Sequence, residues 1–381
     1  MKKRIVAFAV IVLLAFVGCN SRGKNQSDLS EEKDVVRIGA IFSMTGIAGD
    51  YGKKSKEGFE IAVDLINKKG GIKGKQIFFI IEDAKSSPKD ALFALKKITE
   101  FEKIEIVVGD VYSSTTKAMI ENLKENVILF APGASKPDLI NTNKNFIRNW
   151  TSDNFDGLAM ANIVLDRGVK SIGLITEETE YTKSLSEAFE KEYIQKNGKI
   201  VMKESFLSDK KDLRPLLLKF KNSEINNVYL TGLSIEVGLV LKQAKEINYL
   251  PQWYTNLTVD TDDCKAIAGI ARNGVIFSRP FVDFTNLSSD AETFLKIYKN
   301  KFGREPDATV AHAFDAVNIL ALALENTDES TSQIVDYINN LKDFPGVSGK
   351  TTFNGKGGVL KDIEVLQIKQ DSVLSLKVFE F

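Results

Sequence analysis

The apolar positions of this chain fall into two alternating periods. Val35–Phe42 is mostly β-branched and apolar, which predicts a strand. A Gly-containing turn over 43–51 follows. Phe59, Ala62, Val63 and Ile66 then recur at helical spacing, and Gly70-Gly71 ends that helix. Residues 76–82 read as the next strand. Pro88 opens a helix that sets Ala91, Leu92, Leu95 and Ile98 on one face. A strand over 104–108, a polar loop, a helix over 118–124 and a strand over 127–131 complete the first unit. The pattern restarts with strands over 171–176, 200–206 and 227–231, separated by helices over 185–195 and 213–220 and followed by one over 235–247. Short strands near Trp253 and over 275–278 come next. Helices over 289–302, 307–325 and 332–341 and strands over 364–369 and 373–379 end the chain. Strands alternating with helices predict an α/β protein with parallel sheets flanked by helices. Two such successions exceed what one sheet absorbs, so two lobes are expected.

The first residues have a different character. Lys2, Lys3 and Arg4 precede an uncharged apolar run over 5–17, closed by Gly18-Cys19. This layout predicts an export signal over 1–18, too short for a stable membrane span. A Cys directly after a small residue resembles the bacterial lipoprotein cleavage box, in which Cys19 becomes the lipidated first residue. Phe16 stands where that box usually carries Leu. Residues 20–34 are almost wholly polar and read as a flexible tether, so 19–34 links an anchor to the body. No further apolar run of membrane-spanning length is read.

The whole chain carries 51 Lys and Arg against 51 Asp and Glu, and no basic patch appears, which argues against a nucleic-acid partner. Beyond Cys19 the sequence has one cysteine, Cys264, expected to be buried, and no internal disulfide can form. Nothing follows the first strand as G-x-G-x-x-G, and there is no Walker loop and no G-x-S-x-G elbow. The single histidine, His312, excludes a His/Cys metal cluster and reads as a packed or lip-facing helix residue. The reading is therefore of a non-enzyme without cofactor.

Two loops offer binding chemistry. The first runs Gly109-Asp-Val-Tyr-Ser113-Ser114-Thr-Thr116 between a strand and a helix. The second, Pro132-Gly133-Ala134-Ser135, follows the next strand. Both lie at carboxyl ends of parallel strands, where open α/β sheets bind ligands. Hydroxyls and free N–H groups at a helix start suit an anion such as a carboxylate. The same serines and threonines are also common helix caps, and one of them is expected to cap here.

The stretch 38–92 resembles the leucine/isoleucine/valine-binding protein family of ABC importers. The residues that carry the resemblance are Phe42-Ser-Met-Thr-Gly46, Tyr51-Gly52, the helix end over 62–67, Lys69-Gly-Gly-Ile-Lys-Gly74, Glu82-Asp83 and Pro88-Lys89. Weaker similarity continues through Tyr181, 229–243 and Ile267-Ala-Gly269, so it covers essentially the whole body. The resemblance implies a type I periplasmic-binding fold: two lobes, each with a mostly parallel sheet flanked by helices, joined by three crossovers around a cleft that closes on its ligand. It places lobe 1 at 35–153 plus 282–349 and lobe 2 at 154–281 plus 350–381.

In that family the serine loop holds the ligand carboxylate, which puts Ser113, with Ser114 beside it, in this role. Gly133 would present a carbonyl to an ammonium, and Ala134 and Ser135 would add donors. Tyr51 and Tyr181 would line the pocket, one from each lobe. Two positions depart from the family: Leu257 stands where an acidic partner of the ammonium is expected, and Leu233 replaces a tyrosine. Either Asp260, Asp153 or a neighbour substitutes, or the ligand is not a zwitterionic amino acid. Lys85 and Tyr112 stand near the positions of the family's disulfide.

The implied function is capture of a small carboxylate-bearing solute, a branched-chain or other apolar amino acid, by a monomeric lipid-anchored receptor outside the cytoplasmic membrane that delivers it to ABC permease subunits. The alternatives are an amide, urea-like or aromatic acid ligand, or a sensor that reports ligand to a signalling partner.

Overall fold

The computed structural model describes residues 35–282, 289–370 and 372–381. The expected export signal over 1–18, the lipidation candidate Cys19 and the tether to residue 34 lie outside the described residues.

The first unit is β1 (Val35–Phe42), α1 (Gly49–Lys68), β2 (Gln76–Asp83), α2 (Pro88–Lys96), β3 (Ile106–Val108), α3 (Ser113–Glu121), β4 (Ile128–Ala131) and β5 (Phe146–Arg148). Its five strands form one parallel sheet in the order β2-β1-β3-β4-β5. Local signals fix the helix ends. The Ser87 hydroxyl accepts from the Asp90 N–H with Pro88 in the first turn, and Gly70 and Gly71 take positive φ just after α1.

The second unit is α4 (Asp153–Asp166), β6 (Ser171–Glu177), α5 (Glu180–Gln195), β7 (Lys199–Phe206), α6 (Arg214–Asn222), β8 (Asn227–Thr231), α7 (Ser234–Glu246), β9 (Gln252–Asn256), α8 (Asp262–Ala268) and β10 (Ile276–Pro280). The chain then returns to the first unit as α9 (Ser289–Phe302), α10 (Ala308–Asn326) and α11 (Thr331–Asn340). A small antiparallel sheet follows, made of β11 (Phe344–Gly346), β12 (Gly349–Phe353) and β13 (Val359–Leu360). Finally β14 (Ile363–Lys369) and β15 (Ser372–Phe379) join the second sheet, whose order is β15-β14-β10-β9-β8-β6-β7. Both late strands run antiparallel to their neighbours, and the rest of that sheet is parallel.

Each sheet has an apolar core on both faces. In the first unit, Phe42, Phe59, Phe130, Phe294 and Phe314 belong to one core, and Leu95, Ile98, Met119 and Leu129 to the other. In the second, Phe206, Phe220, Val237 and Phe277 lie on one face, and Met160, Phe189, Tyr229 and Tyr254 on the other. This is the two-lobed, doubly wound architecture with three crossovers.

Three expectations change in detail. The helix expected over 118–124 begins at Ser113, so Ser113, Ser114, Thr115 and Thr116 form its first turn and not a loop. The return to lobe 2 expected at residue 350 we place after Leu360, because Phe353 and Val359 pack in the first core. Finally, α10, 19 residues long with a mean hydropathy of 1.3 over an 18-residue stretch, is long and apolar enough to cross a membrane, although no such run was expected. It is instead a core helix, with 78% of that stretch buried.

Candidate ligand-binding cleft

One cavity collects most of the expected site. Tyr51, Gly133, Ala134, Ser135, Tyr181, Leu233 and Leu257 line it, together with Ala48, Val111, Tyr112, Trp150, Thr258 and Thr309. The wall thus draws on both units, and two contacts tie them across it. The Tyr51 and Ser234 hydroxyls lie 2.6 Å apart, and Lys136 Nζ donates to Glu180 Oε2 at 2.6 Å. The lobes are closed on the cavity.

The anion end is built by β3, α3 and β4. Tyr112, not a serine or threonine, is the N-cap residue of α3, and no side chain caps the helix. The buried Ser113 Oγ has no hydrogen-bond partner, so Ser113 does not spend its hydroxyl on the cap. Thr115 and Thr116 bond to the Tyr112 carbonyl. Asp110, buried behind this turn, holds it to β1: it accepts from the Ser43 N–H at 3.0 Å, the Val111 N–H at 2.6 Å and the Thr115 hydroxyl at 2.7 Å. Burial raises its carboxyl pKa against the pull of these donors. Neither Ser113 nor Ser114, half-buried one residue further on, lines the cavity; Ser113 lies directly after the lining residues Val111 and Tyr112.

The 132–135 loop is equally constrained. A Cβ on Gly133 would come within 2.7 Å of Val111 Cα, so only glycine lets the loop approach α3 this closely. The Ala134 N–H donates to the Val111 carbonyl, and Arg148 Nη1 donates to the Ala134 and Lys136 carbonyls at 3.0 and 2.7 Å. Ala134 therefore presents its methyl group to the cavity, and its backbone is already used. Arg148 itself is buried, which lowers its pKa to about 10, still cationic at neutral pH.

On the facing side, Tyr181 accepts from Asn256 Nδ2 at 3.0 Å, and the Leu233 N–H donates to Glu177 Oε2 at 2.6 Å. Leu257 and Thr258 meet the cavity from a 3-10 turn, Leu257–Asp260. That turn carries Asp260 away from the cavity. It pairs with Lys265 at 3.2 Å and Arg272 at 3.5 Å, and it lines an adjoining groove that shares Tyr51 and Leu257 with the cavity. The candidacy of Asp260 as the ammonium partner is thereby corrected, since its charge is already neutralised by two cations of its own lobe.

Asp153 is better placed. It opens α4, its backbone N–H donates to the Ser135 carbonyl at 3.1 Å, and its side chain is fully buried. Burial pushes its pKa up to about 6, against the pull of the Ser135 and Ser184 hydroxyls and the Arg148 charge, yet neither oxygen has a direct hydrogen bond. One turn further, burial carries Asp156 to about 7.

His312 is packed, not lip-facing: its Nδ1 lies 2.7 Å from the Ala308 carbonyl and its ring lies 4.4 Å from that of Trp150. Cys264 is buried and free, as expected. Among the described residues, no group of three or more His, Cys, Asp or Glu is arranged to hold a metal ion.

A cleft between two doubly wound lobes, with a helix N-terminus and hydroxyls on one wall and an apolar, aromatic remainder, defines a solute-binding protein of the two-lobed type. The periplasmic binding protein family model matches residues 35–372, and the chain belongs to that family. The chain is 26% identical over 327 residues to the leucine-, isoleucine-, valine-, threonine- and alanine-binding protein of Pseudomonas aeruginosa, covering 85% of this chain and 87% of the relative. To the Leu/Ile/Val-binding protein of Escherichia coli it is 25% identical over 343 residues, 89% and 91% of the two chains. A leucine binding protein of Thermotoga maritima superposes with a TM-score of 0.84 at 26% identity, over 91% of this chain and 99% of that one. A solute binding protein of R. palustris in complex with benzoate superposes at 0.81 with 17% identity, over 90% and 96%, which shows the shared fold. The chain is thus an extracytoplasmic solute-binding protein of the ABC importer type, and its relatives are receptors, not enzymes.

Proposed function

We propose that the cleft captures a small carboxylate with an apolar body, a branched-chain or similar amino acid, and presents it to an ABC permease. The observation that carries this reading is an uncapped helix N-terminus, with the unspent, buried Ser113 hydroxyl directly behind the lining residues Val111 and Tyr112, at a wall formed largely by Val111, Trp150, Leu233 and Leu257. The N–H groups and dipole of α3 favour a negative charge there, and the apolar wall favours a hydrocarbon body. The relatives that bind leucine, isoleucine and valine support the amino-acid class. Tyr51, Gly133, Ser135 and Tyr181 complete the site in this reading.

The test is calorimetric titration of protein freed of ligand by unfolding and refolding. Saturable one-to-one binding of an aliphatic amino acid is expected. No heat with any carboxylate, aliphatic or aromatic, sinks the reading.

We further propose that the receptor works as a monomer held to the membrane by a lipid on Cys19. Only the thiol can carry the lipid, so Cys19→Ser should abolish labelling by a radioactive fatty acid. Equal label in variant and parent would refute the anchor.

A further inference from the structure

On the flank of the first lobe, α2 runs directly into a π-helical turn over Lys97–Phe101. No residue of this segment lines the cavity. Its inner face is spent on packing: Ala91, Ala94, Leu95 and Ile98 belong to one core of the first sheet. The outer face is of another kind. After Pro88, every exposed residue up to Lys103 is a lysine or a phenylalanine: Lys89, Phe93, Lys96, Lys97, Phe101 and Lys103. Lys89, Phe93, Lys97 and Phe101 recur four apart and so form one stripe. Phe93 is 63% exposed and Phe101 79%, and they are the aromatic rings among the large apolar side chains that the described residues expose. Lys89 Nζ lies 5.9 Å from the centre of the Phe93 ring.

One exposed apolar side chain is ordinary. Two rings interleaved with lysines, on a helix whose apolar side is already buried, have the composition of a lipid interface. There, rings sink among the headgroups, and lysine stems lie beside them with the ammonium groups on phosphate. The charge agrees. Residues 85–103 hold five lysines against Asp90, Glu100 and Glu102. Each of these acids is met by a cation: Asp90 by Lys85 at 3.3 Å, Glu100 by Lys124 at 2.9 Å and Glu102 by Arg37 at 3.6 Å. Lys97 pairs with Glu82 at 2.7 Å. The segment keeps an excess of positive charge.

The body meets the preceding chain beside this face. Arg37, two residues after Val35, donates from Nη1 to the carbonyl of Glu102 at 2.8 Å, between Phe101 and Lys103. The 16 residues over 19–34 precede Val35 and can span at most about 55 Å. An anchor on Cys19 therefore holds the Phe101 end of the face within that distance of the bilayer. At the resulting effective concentration a weak contact is populated.

We propose that the outer face of α2 and its π-turn rests on an anionic phospholipid surface, with Phe93 and Phe101 among the headgroups and the lysines on phosphate. The anchored receptor then lies with the flank of its first lobe on the membrane. The inference rests on the reading of Cys19 as a lipidated residue, and it adds the surface that meets the lipid.

The test uses the full-length protein, exported and processed by its host, in vesicles of phosphatidylcholine and phosphatidylglycerol with or without brominated acyl chains. Phe101→Trp places a reporter in the face. Ile270→Trp places one at a 75% exposed apolar position of the second lobe. Trp150 and Trp253 are buried and give both variants the same background. The added emission of Phe101→Trp should shift to the blue and lose about half its intensity to bromine, and that of Ile270→Trp should do neither. Leaving out phosphatidylglycerol, or adding Lys96→Glu and Lys103→Glu, should cut the quenching several-fold. Equal quenching of the two reporters, or none in a protein that floats with the vesicles, overturns the inference and leaves the anchor standing. A protein that bears no lipid and does not float removes both.

Discussion

Asp315→Ala should cost about 3–5 kcal/mol of stability, because it orphans three buried donors and removes the carboxylate that offsets the buried Lys361 charge. Asp315 lies on α10 and is 1% exposed. It accepts from the Val347 and Ser348 N–H groups at 2.9 and 2.7 Å and from the Ser348 hydroxyl at 2.5 Å. Lys361, 3% exposed, donates to the Ser348 hydroxyl at 2.5 Å and its carbonyl at 3.1 Å. Lys361 stands between β13 and β14, where the chain enters the second sheet. One turn earlier on α10, His312 stacks on Trp150 of the cavity wall, and Asn149 Nδ2 donates to the His312 carbonyl at 3.2 Å. The knot therefore fastens two of the three passages between the lobes to the first core. A urea titration reads the loss, and an unchanged midpoint would contradict this role. Lys361→Met should cost less, since Asp315 keeps its three donors.

The lysine also gives a pH signature. Burial lowers its pKa from 10.5 to about 8, with Asp315 opposing the shift. Between pH 8 and 10 the unfolded chain thus holds more protons at this site than the folded one, so the contribution to stability rises with pH and is lost as pH falls through 8. The difference in stability between wild type and Lys361→Met should carry that slope. A flat difference would show that the amine is not desolvated.

Periodicity made most of this fold legible. Strands rich in β-branched and apolar residues, such as Val35–Phe42 and Asn227–Thr231, and helices closed by Gly-Gly or opened by Pro are where the structure has them. The pieces not read were the helices α4 and α8 and the strands β5 and β11 to β13. At two to five residues these strands are too short to show alternation, and their positions are set by tertiary packing. The start of α3 was missed because its first turn, Ser-Ser-Thr-Thr, has the composition of a cap or loop. The hydroxyl loops and the two tyrosines were legible through the family resemblance. Trp150, Thr258 and Thr309 were not, because the wall is assembled from segments far apart in sequence. Asp260 misled because its place in the sequence puts it near the cleft, while the 3-10 turn decides where it points.

The second large effect is expected at the anion site. Ser113 opens α3 and Ser135 lies in the neighbouring loop, and the two segments are held together by Gly133 against Val111 and by the Ala134 N–H on the Val111 carbonyl. In the proposed reading a carboxylate held there would accept from both hydroxyls. Removing either leaves a buried oxygen short of a donor, at about 1–3 kcal/mol each. The two sites share one ligand group, so their effects need not add. For the pair we expect about 2–5 kcal/mol, about 30-fold to several thousandfold in affinity. Neither serine makes a side-chain bond that supports the helix start, so stability should change little.

The measurement that bears most directly on the account is calorimetric titration of the Ser113→Ala, Ser135→Ala double variant beside the wild type with the same aliphatic amino acid. The account predicts one-to-one binding by the wild type, and a loss of at least thirtyfold in the variant at an unchanged unfolding midpoint. Wild-type affinity in the double variant would contradict it, for the carboxylate would then be held somewhere other than the α3 start.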